Sequence, residues 1–412
     1  MARRLSAILS SMAPFHFQEF IPMPRFPRQL LGGLFAAAAL AAAPVAFAQE
    51  VVKIGFVGEL SGPFAEFGRQ MQTGIRTYQK QFGETVAGKK IEVIYKDTGG
   101  ANPELARRLA QELVLRDKVR FLAGFGFTPN AAAVAPVAAE AKVPMIVMNA
   151  AAGGLTARSP YMTRVSFSFP DVVPPIADWA VRQGYKKAYV LVADYAPGHD
   201  VEAAFLAAYK SAGGSVVGSV RVPMDAVEFA PYLQRVKDAK PDVLFAYVNG
   251  GDVSPALIKE YRQRGLAEAG IKLIGTGDIT SEEGLKVMGD AALDTVTVYP
   301  YSATHKSDLN ARFVRDFVQI SGRDEQPTIM GVSGYDGMAA IYAALAKTGG
   351  KLDGEALMEA MKGAQLDSPR GPIKIDAATR DVVQNEYIRR VRRLDGALQN
   401  AEFETFKPAA AH

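Results

Sequence analysis

Six short loops hold the residues best placed to act on a small molecule. They are GELSGPFAEFG at 58–68, GFGFTPNAAA at 124–133, MNAAAGG at 148–154, DYAPGHD at 194–200, NGGD at 249–252 and GTGD at 275–278. Each comes at the end of an apolar run of strand length. Loops at the C-terminal ends of parallel strands are where α/β proteins hold ligands. The first loop has glycines but no following Lys-Ser/Thr, so it is not a phosphate-cradling Walker loop, and it is not the GxGxxG dinucleotide fingerprint. By pattern alone it reads equally as a tight turn before a helix. In GFGFTPN, Thr128 is placed to cap a helix beginning at Pro129. Free N–H groups at a helix start are a ready site for a carboxylate. The plainer alternative is a cap with no further role. Phe67, Phe125 and Phe127, beside glycines, read as pocket lining, with burial in the core as the alternative.

Catalytic chemistry is poorly supplied, and the chain reads as no enzyme. There is no cysteine, and beyond residue 48 the histidines are His199, His305 and His412. No two of them have metal-ligand spacing, so neither a transition-metal site nor a cofactor is expected. No G-x-S-x-G nucleophile elbow occurs. The adjacent acids Glu282 and Glu283 stand at a helix start, where the helix dipole accounts for them.

The elements around these loops alternate strand and helix. VVKIGFV, KIEVIYKD, VRFLAGF and VPMIVMN are strands, separated by helices over 69–82, from Asn102-Pro103-Glu104 to Asp117, and from Thr128-Pro129 to Ala141. A second series starts near Pro170, with strands KKAYVLVAD, SVVGSVRVP, DVLFAYVNG, IKLIGTGD and TVTVYPY between helices. Helices follow at about 308–321, 329–347 and 354–361, and GPIKIDAATRDVVQNEYIRRVRRL reads as two strands joined by a turn. Such alternation implies mostly parallel sheets with helices on both faces.

The first 48 residues are set apart. Arg25 and Arg28, the apolar run Leu30–Ala43 and Ala46-Phe47-Ala48 have the order of a secretory signal peptide, with Gln49 starting the exported chain. The apolar run is shorter than a membrane span of about 20 residues. Translation starting at Met23, with the upstream residues misassigned, competes with an unusually long basic region. The net charge of +4 is largely this segment's, because Arg3, Arg4, Arg25 and Arg28 face Glu19 alone. The rest is near neutral and calls for neither nucleic acid nor an anionic membrane. A chain of this length has room for two domains and a core that needs no disulfide.

The phrase KIGFVGELSGPFAEFG, with KDTGGANPELARRLAQELV, the VRFLAGFG–VPMIVMNAAAG pair and SGYDGMAAIYAAL, carries a resemblance over residues 51–400. The chain resembles the periplasmic substrate-binding proteins of branched-chain-amino-acid-type (Leu/Ile/Val-binding-like) ABC transporters. The resemblance implies an α/β fold of two doubly wound lobes, the type I periplasmic binding fold, joined by a three-crossover hinge with a ligand cleft between them. Lobe one would comprise 49–168 and 302–372, and lobe two 169–301 and 373–407. It implies that Phe67 packs on the ligand. The loop with Phe127 and Thr128 would hold a carboxylate, helped by the backbone of Asn149, Ala150 and Ala151. Tyr195, His199, Asn249 and Asp278 would contribute from lobe two.

The sequence departs from the amino-acid binders where a small polar cluster is expected. The anticipated Thr falls on Ala151, and phenylalanines flank Thr128. A buried ammonium needs acceptors. These departures, with DYAPGHD and SPRGPIKIDAATRDVVQN, point to the subgroup that binds aromatic carboxylates such as benzoates. Asp278 stands against this, since it lies near the acid that amino-acid binders use; in the aromatic reading it turns to backbone donors or solvent. His199 reads equally as a helix-start residue with no ligand contact. The expected protein is a monomeric periplasmic component of an ABC importer, delivering a small carboxylate to permease subunits in the inner membrane. Branched-chain amino acid binding is the alternative, and an exported ligand sensor is the alternative of another class. A repressor effector domain would need a helix-turn-helix where the leader stands.

Overall fold

A computed structural model describes residues 50–408. The leader, the cleavage position and the last four residues lie outside that range. Val51–Gly58 (β1), Thr85–Val86 (β2), Lys89–Asp97 (β3), Phe121–Gly124 (β4), Met145–Val147 (β5) and Met162–Arg164 (β6) form one sheet, ordered β2-β3-β1-β4-β5-β6. All pairings in it are parallel except that of the short β2 with β3.

The second sheet begins with Lys187–Ala193 (β7), Ser215–Val222 (β8), Val243–Tyr247 (β9), Lys272–Thr276 (β10) and Val296–Tyr299 (β11). Gln365–Leu366 (β12), Ile373–Ile375 (β13) and Val382–Val383 (β14) then make a small separate sheet. Glu386–Leu394 (β15) and Ala397–Phe406 (β16) complete the second sheet as an antiparallel extension, giving β16-β15-β11-β10-β9-β7-β8. The result is two α/β lobes. Every residue of β4, β5, β6 and β9 is buried. That burial follows from helices on both sheet faces, which is why β4, β5 and β9 read as continuous apolar runs. The edge strand β8 instead alternates exposed with half-buried positions.

The Ile329–Lys347 helix lies against the Ala65–Phe82 helix in lobe one. Glycine allows the approach: a Cβ at Gly74 would fall 1.9 Å from the Gly331 carbonyl oxygen, and one at Gly334 would fall 2.3 Å from that of Met71. The same Ile329–Lys347 helix has the length and hydropathy of a membrane span, but its apolar window is 89% buried within the protein.

The chain passes between lobes three times: after β6, after β11 and before β15. The third passage comes later than the 372/373 boundary expected from sequence. β13 and β14 pair with each other as a hairpin, and the carbonyl of Arg380 in its turn accepts the Arg164 main-chain N–H and the Thr163 hydroxyl. The buried Arg164 also pairs with Asp381. These bonds hold 373–383 to lobe one, so the crossing falls at Gln384-Asn385. The segment expected to be two strands joined by a turn is therefore this hairpin followed by β15, whose partner is β16.

Candidate functional site

A narrow cleft lies between the C-terminal ends of the two sheets. Phe67, Gly126, Phe127, Thr128, Asn149 and Ala151 line it from lobe one. Phe167 and Phe169 line it from the first crossover, and Tyr195, Pro197, Tyr247, Asn249 and Asp278 from lobe two. Six of these thirteen residues are aromatic.

The lobe-one wall presents hydrogen-bond donors at a helix start. The helix starts at Thr128 itself, with Phe127 at the cap position and no side-chain cap bond. Thr128 is therefore not the cap expected from sequence. Its hydroxyl oxygen accepts the Ala152 N–H at 3.3 Å, which leaves its own proton to donate. The first intrahelical bond is from Ala131 N to the Phe127 carbonyl, so the amides of the opening turn have no acceptor within the helix. Beside it, the carbonyls of Ala150 and Ala152 accept from Arg164 Nη1 at 3.0 and 2.8 Å, and that of Ala151 accepts from Phe169 N–H at 3.1 Å. The N–H groups of Ala150, Ala152 and Gly153 are engaged as well, with the Phe125 carbonyl, the Thr128 hydroxyl and the Asp200 carboxylate. Phe125, two residues before Phe127, has φ of 68°. That left-handed conformation is uncommon for a bulky residue and marks a loop held by its surroundings. Phe125 is fully buried and stays in the core.

Phe64, Phe67 and Phe127 form an aromatic cluster, with centroids 5.0 Å (Phe64–Phe127, edge-on), 5.5 Å (Phe67–Phe127) and 5.7 Å (Phe64–Phe67) apart. On the lobe-two side, the Tyr195 and Tyr247 hydroxyls bond each other, and Tyr195 donates to Asn249 Oδ1 at 2.7 Å. Asn249 Nδ2 donates to the Met224 carbonyl at 3.0 Å. Asp278 accepts the Tyr299 hydroxyl at 2.9 Å and the Thr276 hydroxyl at 2.8 Å. Side-chain hydroxyls are thus among its donors, together with the backbone donor expected from sequence. Burial pushes the Asp278 carboxyl up to about 6, against the opposing pull of those two hydrogen bonds. It is mostly ionised at neutral pH, and the Tyr195 and Tyr247 phenols stay protonated because burial raises both.

Of the residues anticipated from sequence, Phe67, Phe127, Thr128, Asn149, Ala151, Tyr195, Asn249 and Asp278 meet at this cleft. Ala150 does not line it; its N–H goes to the Phe125 carbonyl at 3.0 Å. His199 does not line it either. Its ring faces Asp194 at 2.7 Å, on a partly exposed surface. Sequence reasoning missed Phe167 and Phe169, which stand in the crossover RVSFSFP, and Tyr247, which ends an apolar strand. An aromatic residue at the C-terminal end of a sheet strand was the available signal for Tyr247.

The lobes touch at the cleft mouth. Gly153 N–H donates to the Asp200 carboxylate at 2.8 Å, and Arg69 pairs with Glu283 at 2.5 Å. A Cβ at Gly251 would fall 2.8 Å from the Pro63 carbonyl oxygen.

Two parallel-sheet lobes around such a cleft define a solute-binding architecture. The chain belongs to the periplasmic binding protein family, which it matches over residues 51–397. It is 41% identical over 367 residues to Leu/Ile/Val-binding protein homolog 6 of Brucella melitensis, covering 89% of this chain and 94% of that one. It is 47% identical to a solute-binding protein of an ABC transporter from Rhodopseudomonas palustris BisB5, solved in complex with 3,4-dihydroxybenzoic acid. That match has a TM-score of 0.84 and covers 87% of this chain and 98% of the other. A solute-binding protein from Rhodopseudomonas palustris HaA2, solved with p-hydroxybenzoic acid, is 40% identical with a TM-score of 0.85 and the same coverages.

Proposed function

We propose that the protein binds an aromatic carboxylate of the hydroxybenzoate type in this cleft and delivers it to the permease of an ABC importer. The observation that carries the reading is a cleft walled by aromatic rings, with amide and hydroxyl donors on one side and a hydroxyl–carboxylate network on the other. A flat ring fits such walls, and each ring–ring contact adds about 0.5–1.5 kcal/mol beyond area burial. The ligand carboxylate rests on Thr128 and the adjacent amides. A ring hydroxyl on the far side donates to Asp278 or joins the Tyr195–Tyr247–Asn249 set. Supporting this are the relatives solved with 3,4-dihydroxybenzoic and p-hydroxybenzoic acids. The protein acts by binding and release, as a monomer, with no bond made or broken.

Asp278 also supports a second reading. It is the one carboxylate among the described cleft-lining residues and would receive an α-ammonium group, as in branched-chain amino acid binding. Direct titration with 4-hydroxybenzoate against leucine separates the two.

Closure accompanies binding. The contacts of Gly153 with Asp200 and of Arg69 with Glu283 join the lobes, and a ligand touching both walls favours the closed state by its differential affinity. The family membership and the leader pattern together support a periplasmic location. Sequencing the exported protein should give an N-terminus at Gln49; a start upstream of residue 40 would refute the cleavage assignment.

A further inference from the structure

Glu59 follows β1 and is fully buried. Its Oε1 accepts from Asn130 Nδ2 at 3.1 Å and from the Thr98 hydroxyl at 3.4 Å. Its Oε2 has no hydrogen-bond partner. That oxygen lies against Gly126: a Cβ at 126 would fall 2.0 Å from it. Gly126 itself lines the cleft beside Phe127 and Thr128, and Asn130 stands in the first turn of the helix that opens there. The Glu59 carboxyl therefore sits directly behind the proposed carboxylate site, with one glycine between.

We propose that Glu59 is a positioning residue of this site, and that capture of a carboxylate anion is accompanied by uptake of one proton at Glu59. The inference rests on the aromatic-carboxylate reading above. Two carboxylates brought this close in a dry cleft cannot both stay ionised without a large penalty. An ionised Glu59 also draws on the positive end of the helix that the ligand needs. A proton on Glu59 relieves both conflicts while Asn130 and Thr98 keep the carboxyl in place.

Burial raises the Glu59 carboxyl to about 7, opposed by its hydrogen bonds, so the proton is exchangeable near neutrality. The groups facing it are uncharged: Thr98 after β3, Asn130 on the helix and the Gly126 amide. Asp97, next to Thr98, turns to the N–H groups of Leu60 and Gly99. Among the described residues no Lys, Arg or His contributes to the shift. The sign follows from linkage. The protonated form is the binding form, so affinity holds below pH 7 and falls as pH rises through it, by up to about tenfold per unit.

The test is calorimetric titration with 4-hydroxybenzoate from pH 6 to 8, in two buffers of different ionisation heat, on the wild type, Glu59→Gln and Asp278→Asn. The wild type should lose affinity above pH 7 and take up about three-quarters of a proton per ligand at pH 7.5, because a carboxyl near 7 is already about one-quarter protonated there. Above pH 7 Glu59→Gln should show a flat profile and no uptake, while Asp278→Asn, whatever its absolute affinity, keeps the wild-type slope there. A flat wild-type profile with no uptake overturns the proposal, as does a slope that persists in Glu59→Gln or vanishes in Asp278→Asn. If Glu59→Gln does not fold, the wild-type proton count and the Asp278→Asn slope decide alone. Absence of binding at every pH overturns the aromatic-carboxylate reading itself, and this inference with it.

Discussion

Thr128→Asp abolishes carboxylate binding. The substitution places a negative charge on the helix start, where the ligand's own charge rests. Two unit charges about 4 Å apart at an effective dielectric near 20 repel by about 4 kcal/mol, which is about a thousandfold in Kd. The variant also displaces the hydroxyl that holds the Ala152 amide. Thr128→Ala removes one charge-assisted hydrogen bond, worth about 1.5–3 kcal/mol, and should weaken binding roughly ten- to a hundredfold. Both are read by titration with 4-hydroxybenzoate. Normal affinity in Thr128→Asp would place the carboxylate elsewhere in the cleft.

Arg164→Met gives a large loss of stability. Arg164 is fully buried and bonds Asp381 through Nε at 2.7 Å and again through Nη2. Nη1 reaches the carbonyls of Ala150 and Ala152. The change strands a carboxylate that is only 18% exposed and two buried carbonyls. Removing one partner of a buried ion pair typically costs about 3–5 kcal/mol. Urea unfolding should report a loss of that order. The methionine variant should also bind 4-hydroxybenzoate more weakly, because the 150–152 loop loses its brace. A loss below about 1 kcal/mol, the level of an exposed pair, would show that the brace is not structural.

The site was legible where chemistry and position coincide locally. Thr128, Asn149, Ala151, Asn249 and Asp278 stand in Gly-rich loops directly after apolar runs, and a strand–loop–helix pattern places such loops at one end of a sheet. Phe167 and Phe169 were not legible, because a crossover has no periodicity and its phenylalanines look like any buried pair. His199 carried the opposite error. Its chemistry suggested a contact, but one turn into a helix its ring faces away, toward Asp194. The Arg164–Asp381 pair joins positions 217 residues apart, so no local pattern could announce it, and the third crossover was set too early for the same reason. Glu59 reads in sequence as an acid in a polar turn, which normally means solvent. Burial at the end of a central strand is a tertiary fact.

The central claim is that the cleft takes an aromatic carboxylate. It is tested most directly by calorimetric titration of the purified protein at pH 7 with 4-hydroxybenzoate and, separately, with leucine. The account predicts saturable one-to-one binding of the aromatic acid and no measurable heat from leucine. Tight binding of leucine with no response to 4-hydroxybenzoate would contradict it, and Asp278→Asn should then remove most of the leucine affinity.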